Sequence, residues 1–297
     1  MPLLKGRLGL ETARIPHIDR HGLMWLGRGN LLVEDGTLRF VAAGDEFLPP
    51  GEYLIPFQTV SCFVLGPGTT VSHDAMRITA RHGTGLLFTG EGGVRLYASM
   101  PFGPDSSDLA RRQIQLWSDP HARLRVARRM YAWRLGEILP ENDLDSLRGI
   151  EGARMRETYR QLTAQYGIQW DGRRYDRKNP LNDDLPNQAI NHAATAMEAA
   201  AMVATAVAGA IPQIGFIHES SGISFCLDLA DLYRDSITLP VAFSAVREFQ
   251  RQNAGLPRTL ESVTRKLAGR TFRKERLVSV MIDKIKELFE DDSGRDS

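Results

Sequence analysis

The 297-residue sequence predicts an α+β protein, with a small sheet-based domain followed by a larger helical one. Three observations lead there. Short apolar runs separated by turn residues fill positions 20–100. Pro101-Phe102-Gly103-Pro104-Asp105-Ser106 has the composition of a linker. From Asp108 onward the chain carries long stretches rich in Leu, Ala and Arg with helical periodicity. The expected organisation is a β-rich domain over 1–100, a linker over 101–106, a helical domain over 107–289, and a mobile acidic tail over 290–297.

In the first domain, strands are expected at 23–26, 30–34 and 38–42, the last two joined by Asp35-Gly36, a strong hairpin turn. Positions 53–57 and 59–65 continue the pattern, and Gly66-Pro67-Gly68-Thr69 breaks it. Ser72 is placed to cap a short helix over 73–81 that stops at Gly83, and strands follow at 86–89 and 94–98. Gly90-Glu91-Gly92-Gly93 reads as a tight turn between strands rather than a phosphate loop. In the second domain, 108–137 reads as one helical pattern interrupted at Pro120. A helix or helix pair is expected over 145–166, ending at Gly167, and further helices over 187–208 ending at Gly209, from about Phe225, over 260–267 and over 275–289. Positions 169–186 read as a loop and 215–218 as a short extended run.

Hydrophobic residues make up 42% and charged residues 25%, the balance of a folded globular chain, and the net charge is +1. An anionic partner must therefore be met by local clusters rather than a global field. Cys62 and Cys226 each sit in apolar runs and read as reduced core thiols. The N-terminus lacks a signal-peptide core, and the Ala-rich run over 193–211 carries Glu198, which argues for a buried helix over a membrane span. A cytoplasmic protein is expected. The sequence holds no Walker-type phosphate loop and no zinc-finger spacing.

Four residues carry the chemistry: Glu151, His218, Asp228 and Asp231. Asp228 and Asp231 stand at i and i+3 of one helix and so share a face. Two carboxylates in a partly apolar site repel unless a proton or a cation intervenes, and a hard divalent cation with oxygen ligands is the simplest remedy. The ordinary alternative pairs them with Arg234 and Arg247. His218 ends an apolar run and could be a metal ligand, a proton donor or a hydrogen-bonded core residue. Glu151, between two glycines, could instead complement a helix N-terminus.

Between Arg111 and Arg134 the chain has Arg111, Arg112, Arg123, Arg125, Arg128, Arg129 and Arg134 against one acid, Asp119, with Trp117, Tyr131 and Trp133 interleaved. Arginine suits bidentate phosphate contacts, so this stretch reads as a nucleic-acid face. The alternative is a solvated helix face with its aromatics packed inward. Further basic runs are Arg173, Arg174, Arg177 and Lys178, and Arg265, Lys266, Arg270, Arg273, Lys274 and Arg276.

Six segments together resemble the CRISPR adaptation integrases, the first-numbered Cas proteins, in their subtype I-E branch. They are Gly66-Pro67-Gly68-Thr69-Thr70-Val71-Ser72-His73, Val94-Arg95-Leu96-Tyr97-Ala98-Ser99, Leu147-Arg148-Gly149-Ile150-Glu151-Gly152, the run from Tyr166 to Tyr175, Ile214-Gly215-Phe216-Ile217-His218 and Leu227-Asp228-Leu229-Ala230-Asp231. The resemblance implies a β-sandwich-like N-terminal domain and an all-helical catalytic domain. It implies Mg²⁺ or Mn²⁺ held by Glu151, His218 and Asp228, with Asp231 supporting the site. It implies a homodimer, two of which flank a dimer of the second-numbered Cas protein. By the same resemblance, Tyr175 falls on a position that family members use near the protospacer-adjacent motif. Ser221 and Arg28 depart from a related protein's motif-reading lysine and end-bracing tyrosine.

The expected function is a metal-dependent endonuclease and integrase that joins prespacer 3′-hydroxyl ends to the CRISPR repeat. Double-stranded DNA would meet Arg95, Arg111, Arg112, Arg123, Arg128, Arg129, Arg173, Arg174 and Tyr175. The alternative is a non-catalytic nucleic-acid-binding scaffold.

Overall fold

The computed structural model describes residues 22–45, 48–99, 106–137, 143–170, 172–173, 184–251 and 259–290. Most of the expected linker, Arg174, Tyr175 and the tail beyond Glu290 lie outside them. The chain divides into two units, Met1–Thr89 with Tyr97–Ser106, and Gly90–Leu96 with Ser107–Ser297. Gly90–Leu96, which the sequence places in the β-rich domain, groups with the helices.

The first unit holds two four-stranded sheets. The strands are β1 (Leu23–Leu26), β2 (Gly29–Glu34), β3 (Thr37–Ala42), β4 (Gly51–Leu54), β5 (Cys62–Leu65), β6 (Thr69–Val71), β7 (Gly85–Thr89) and β8 (Leu96–Ser99), in orders β1-β5-β7-β8 and β4-β3-β2-β6. The β2–β3 hairpin turns through Asp35 and Gly36, both at positive φ, the geometry that two-residue hairpins favour. Leu26, Phe63, Leu65 and Leu86 of one sheet meet Leu31, Leu38 and Phe40 of the other in one buried core. That is the sandwich. Helix α1 (His73–His82) begins where Ser72 accepts from the Ala75 N–H at 3.2 Å and ends at Gly83 in the left-handed region. Strand β6 is only three residues long and directly follows Gly66-Pro67-Gly68, so the turn signal masks it.

The second unit is helical: α2 (Asp108–Ser118), α3 (Pro120–Leu135), α4 (Leu144–Tyr166), α5 (Leu185–Ala208), α6 (Ser224–Asp231), one π-helical turn (Arg234–Thr238), α7 (Leu239–Gln250), α8 (Leu260–Lys274) and α9 (Leu277–Phe289). The break at Pro120 is a cap as well as an interruption. Asp119 accepts from the His121 N–H, and proline opens α3 where its missing N–H is harmless. Helix α5 is central and packs against α6, α7, α8 and α9. Its alanines are buried almost throughout, which lets these neighbours approach closely. A short turn at Glu91–Gly93 lies on α8, where a Cβ on Gly92 would stand 3.1 Å from the Gly269 Cα. Helix α7 is not expected from the sequence; its Pro240 reads as a breaker but sits in the first turn. Cys62 and Cys226 are free and buried. No helix among the described residues is long and apolar enough to cross a membrane.

Candidate active site

The residues that end α5 and begin α6 are joined by a loop doubled back on α6. The Phe225 N–H donates to the Pro212 carbonyl at 2.9 Å. A Cβ on Gly215 would meet the His218 carbonyl oxygen at 2.4 Å and the Ser224 side chain at 2.8 Å, so only glycine fits. Phe216 is fully buried and packs its ring against Phe225 and Phe289. Two arginines hold the loop from outside: Arg123 of α3 donates to the Phe216 carbonyl at 3.1 Å, and Arg148 of α4 to the Ile217 carbonyl at 2.6 Å. The sequence predicts a short extended run here; the segment is a loop that aims three successive N–H groups inward.

Asp228 receives them. Its side chain is fully buried, and its two oxygens accept from the N–H groups of Phe216 (2.6 Å), Ile217 (3.0 Å) and His218 (2.8 Å) and contact the His218 Nδ1 at 2.7 Å. Four partners make the burial of this carboxylate tolerable. They also occupy both oxygens. Because Nδ1 faces Asp228, the Nε2 of His218 is left open. It stands 3.9 Å from an Asp231 oxygen, and the Asp231 side chain is 27% exposed. The hydrogen bond to Asp228 raises the His218 pKa above its usual value; burial opposes this, and the charges of Asp228, Asp231 and Glu151 reinforce it.

His218 and Asp231 line one cavity of about 130 Å³ with Ala194, Met197, Glu198, Leu227, Arg234 and Thr238. Arg234 reaches Asp231 at 3.3 Å and the Tyr159 hydroxyl at 3.2 Å. The partner expected for Asp231 in the ordinary reading is therefore present. Glu198, on α5, carries a pKa raised by burial first and then by Asp231, with Arg234 opposing.

Glu151, on α4, is held from α3. Arg134 donates to it at 2.6 Å and the Tyr131 hydroxyl at 3.1 Å. The Arg134 side chain is 3% exposed, and it also reaches Asp235 at 3.3 Å and the Met155 sulfur at 3.0 Å. Burial works against its charge, but Glu151, Asp231 and Asp235 hold its pKa above the ordinary value. The same burial and Glu151 push the Tyr131 hydroxyl up.

The donor chemistry suits a divalent cation. A histidine that gives one ring nitrogen to a buried carboxylate and leaves the other open beside a second carboxylate is the arrangement in which metal-ligating histidines are found. Among the described residues, however, no three His, Cys, Asp or Glu side chains stand close enough to hold an ion in their present positions. Of the four residues expected from the sequence, the open donors are His218 Nε2 and the second oxygen of Asp231; Glu151 is turned to Arg134, and Asp228 faces the loop.

The structure gives several of the arginines expected on a nucleic-acid face internal tasks. Arg112 donates to the Phe289 carbonyl, Arg129 to the Glu287 carbonyl, and Arg123 also pairs with Glu219. Arg173 bonds the side chains of Asn187 and Asn191, and Arg95 pairs with Glu261. Arg128 is half-buried, while Arg111 and Arg125 are exposed. Sequence reasoning misses two residues of the centre. It groups Arg134 with the phosphate contacts, and it counts Glu198 only against a membrane span. A lone glutamate in an alanine helix is the available signal.

The family described as CRISPR associated protein Cas1 matches residues 24–139 and 131–271 of this chain. The chain is 38% identical over 275 residues to the CRISPR-associated endonuclease Cas1 of Escherichia coli (strain K12), covering 92% of this chain and 86% of that one. It is 36% identical over 275 residues to the protein of that description from Geobacter sulfurreducens, with the same coverage. Among solved structures it is similar to a TtCas1–DNA complex, with TM-score 0.80, 30% identity, and coverage of 94% of this chain and 99% of that one. A casposase bound to its integration product shares the fold at TM-score 0.60 and 17% identity, over 91% and 94% of the two chains. The extent of these matches shows that the chain belongs to the CRISPR associated protein Cas1 family.

Proposed function

We propose that this chain is a divalent-cation-dependent DNA endonuclease and integrase of CRISPR spacer acquisition. The observation that carries the reading is the open Nε2 of His218 beside Asp231, fixed by the bond from Nδ1 to Asp228. Glu151, His218 and Asp231 would hold Mg²⁺ or Mn²⁺. Asp228, whose oxygens are filled, would orient the imidazole rather than bind the ion. This exchanges the roles that the sequence resemblance implies for Asp228 and Asp231.

In strand transfer the prespacer 3′-hydroxyl oxygen bonds to a repeat phosphorus as that phosphorus loses its 3′-oxygen. The attacking hydroxyl gives up a proton and the departing oxygen gains one, so the number of phosphodiester bonds is unchanged. A bound cation would neutralise charge on the nonbridging and leaving oxygens, an effect amounting to several kcal/mol of barrier. The protein groups do the rest. Asp228 fixes which ring nitrogen of the imidazole is presented, and Arg134 holds Glu151 in reserve within the centre. Water as attacker gives hydrolysis by the same centre.

The similarity to a solved TtCas1–DNA complex supports DNA as the partner, and we assign the duplex form. Exposed Arg111 and Arg125 on α2 and α3 are the sequence-independent phosphate contacts we assign first. The reaction requires two strand transfers, which favours a homodimer, with a dimer of the second-numbered Cas protein between two of them. A chain acting on chromosomal repeats works in the cytoplasm.

A labelled prespacer and a supercoiled repeat plasmid, with the partner protein present, test the reading. His218→Ala should abolish joining in Mn²⁺ while duplex binding persists. Joining at the wild-type rate by that variant would refute the assignment. One observation favours the scaffold alternative: Asp231 and Glu151 both have arginine partners. Thermal melting with and without Mn²⁺ separates the two, since only a cation site is stabilised by mass action.

A further inference from the structure

We propose that Glu198 is a further oxygen donor of this centre, closing on the divalent cation from the α5 side of the cavity. The inference rests on the cation reading above and extends it to a residue that reading does not use. Glu198 lines the same cavity as His218 and Asp231, one helical turn beyond Ala194, together with Leu227 and Ala230 of α6. Its neighbours Met197, Ala199, Ala200 and Ala201 are buried and apolar.

Unlike Glu151, which takes hydrogen bonds from Arg134 and Tyr131, Glu198 accepts no hydrogen bond from a described residue. Arg234 is the nearest positive influence, and its guanidinium is already directed to Asp231 and Tyr159. A part-buried carboxylate that accepts no hydrogen bond is costly, and nothing in the packing of α5 among its alanines calls for one here. Two carboxylates and an open imidazole nitrogen line the cavity with a single guanidinium, that of Arg234, which leaves one negative charge for a cation to balance. Mg²⁺ and Mn²⁺ take oxygen ligands, and a carboxylate from α5 would replace a water on an ion held by His218, Asp231 and Glu151.

The test is calorimetric titration of the full chain with MnCl₂, compared with Glu198→Gln and the volume-conserving Glu198→Met. Glu219→Gln serves as a control that removes a charge from the neighbouring loop outside the cavity. Melting and duplex DNA binding in EDTA report the fold of each variant. Roughly tenfold weaker Mn²⁺ binding in both Glu198 variants, with the Glu219 variant and DNA binding unchanged, is the expected result. Wild-type Mn²⁺ affinity in either folded Glu198 variant overturns the inference and leaves the cation reading standing. An equal loss in Glu219→Gln reduces Glu198 to a long-range charge and also overturns it. If the wild-type chain binds no Mn²⁺, the cation reading itself fails and this inference with it.

Discussion

The Nδ1 of His218 lies 2.7 Å from Oδ1 of Asp228, and the backbone N–H of the same histidine donates to the same oxygen at 2.8 Å. One carboxylate thus fixes both the ring and the backbone that carries it. Asp231, three residues on, faces the cavity instead. The two acids of the motif therefore differ in what their loss removes.

Asp228→Asn places an amide NH₂ among N–H donors, leaving at least one buried donor without an acceptor, and should cost about 1–3 kcal/mol of stability. Asp231→Asn loses a part-exposed pair with Arg234 and should cost under about 1 kcal/mol, yet remove Mn²⁺ binding. Urea denaturation beside calorimetric titration checks the contrast. An Asp228→Asn variant as stable as wild type would sink the assigned division of roles.

Arg134 is the buried counter-ion of Glu151 and Asp235. Removing one partner of a buried pair leaves uncompensated charge, so Arg134→Gln should lose about 3 kcal/mol in EDTA. The freed Glu151 then becomes available to a cation. Mn²⁺ should therefore raise the melting temperature of Arg134→Gln by more than it raises that of wild type. An equal or smaller rise would show that Arg134 does not compete with the ion for Glu151.

The two-part architecture is legible in the sequence because strand alternation, turn dipeptides and a capping residue such as Ser72 act locally. The boundaries that fail involve signals that compete. Gly66-Pro67-Gly68 hides β6, and Pro240 hides α7. The i, i+3 spacing of Asp228 and Asp231 announces a paired site. It cannot say which carboxylate faces inward, because that depends on the loop over 215–218 folding across α6. The arginine run shows the opposite limit. Composition counts charges, but only packing reveals that Arg123 and Arg148 hold loop carbonyls and that Arg134 holds Glu151.

His218 and His192 should respond to pH with opposite signs. The His218 pKa is raised, chiefly by its hydrogen bond to Asp228, with burial opposing. Its contribution to stability is fully present below the ordinary value of 6.5 and is lost as pH rises through the higher folded value. The His192 pKa is lowered, first by burial, with Glu261 opposing and Arg95 and Arg265 assisting. Its contribution is present above 6.5 and is lost as pH falls through the lower folded value. Melting curves in EDTA between about pH 5 and 8, for wild type, His218→Gln and His192→Gln, give the two difference profiles. Profiles sloping the same way would contradict these assignments.

The salt dependence of duplex binding separates arginines that meet phosphates from those that build the fold. Removing one arginine that neutralises a phosphate should reduce the slope of log K against log salt by about 0.9. Arg111 and Arg125 are exposed on α2 and α3, so the double variant Arg111→Ala, Arg125→Ala should flatten the slope by about 2 and leave urea stability within about 0.5 kcal/mol. Arg112, whose guanidinium caps the Phe289 carbonyl at the end of α9, should behave the other way. Arg112→Ala should lose about 1 kcal/mol of stability through that hydrogen bond and its packed stem. Fluorescence anisotropy over a series of salt concentrations reads the slopes. A double variant with the wild-type slope would move the DNA-binding face off the α2–α3 surface, while the stability result for Arg112 would stand independently.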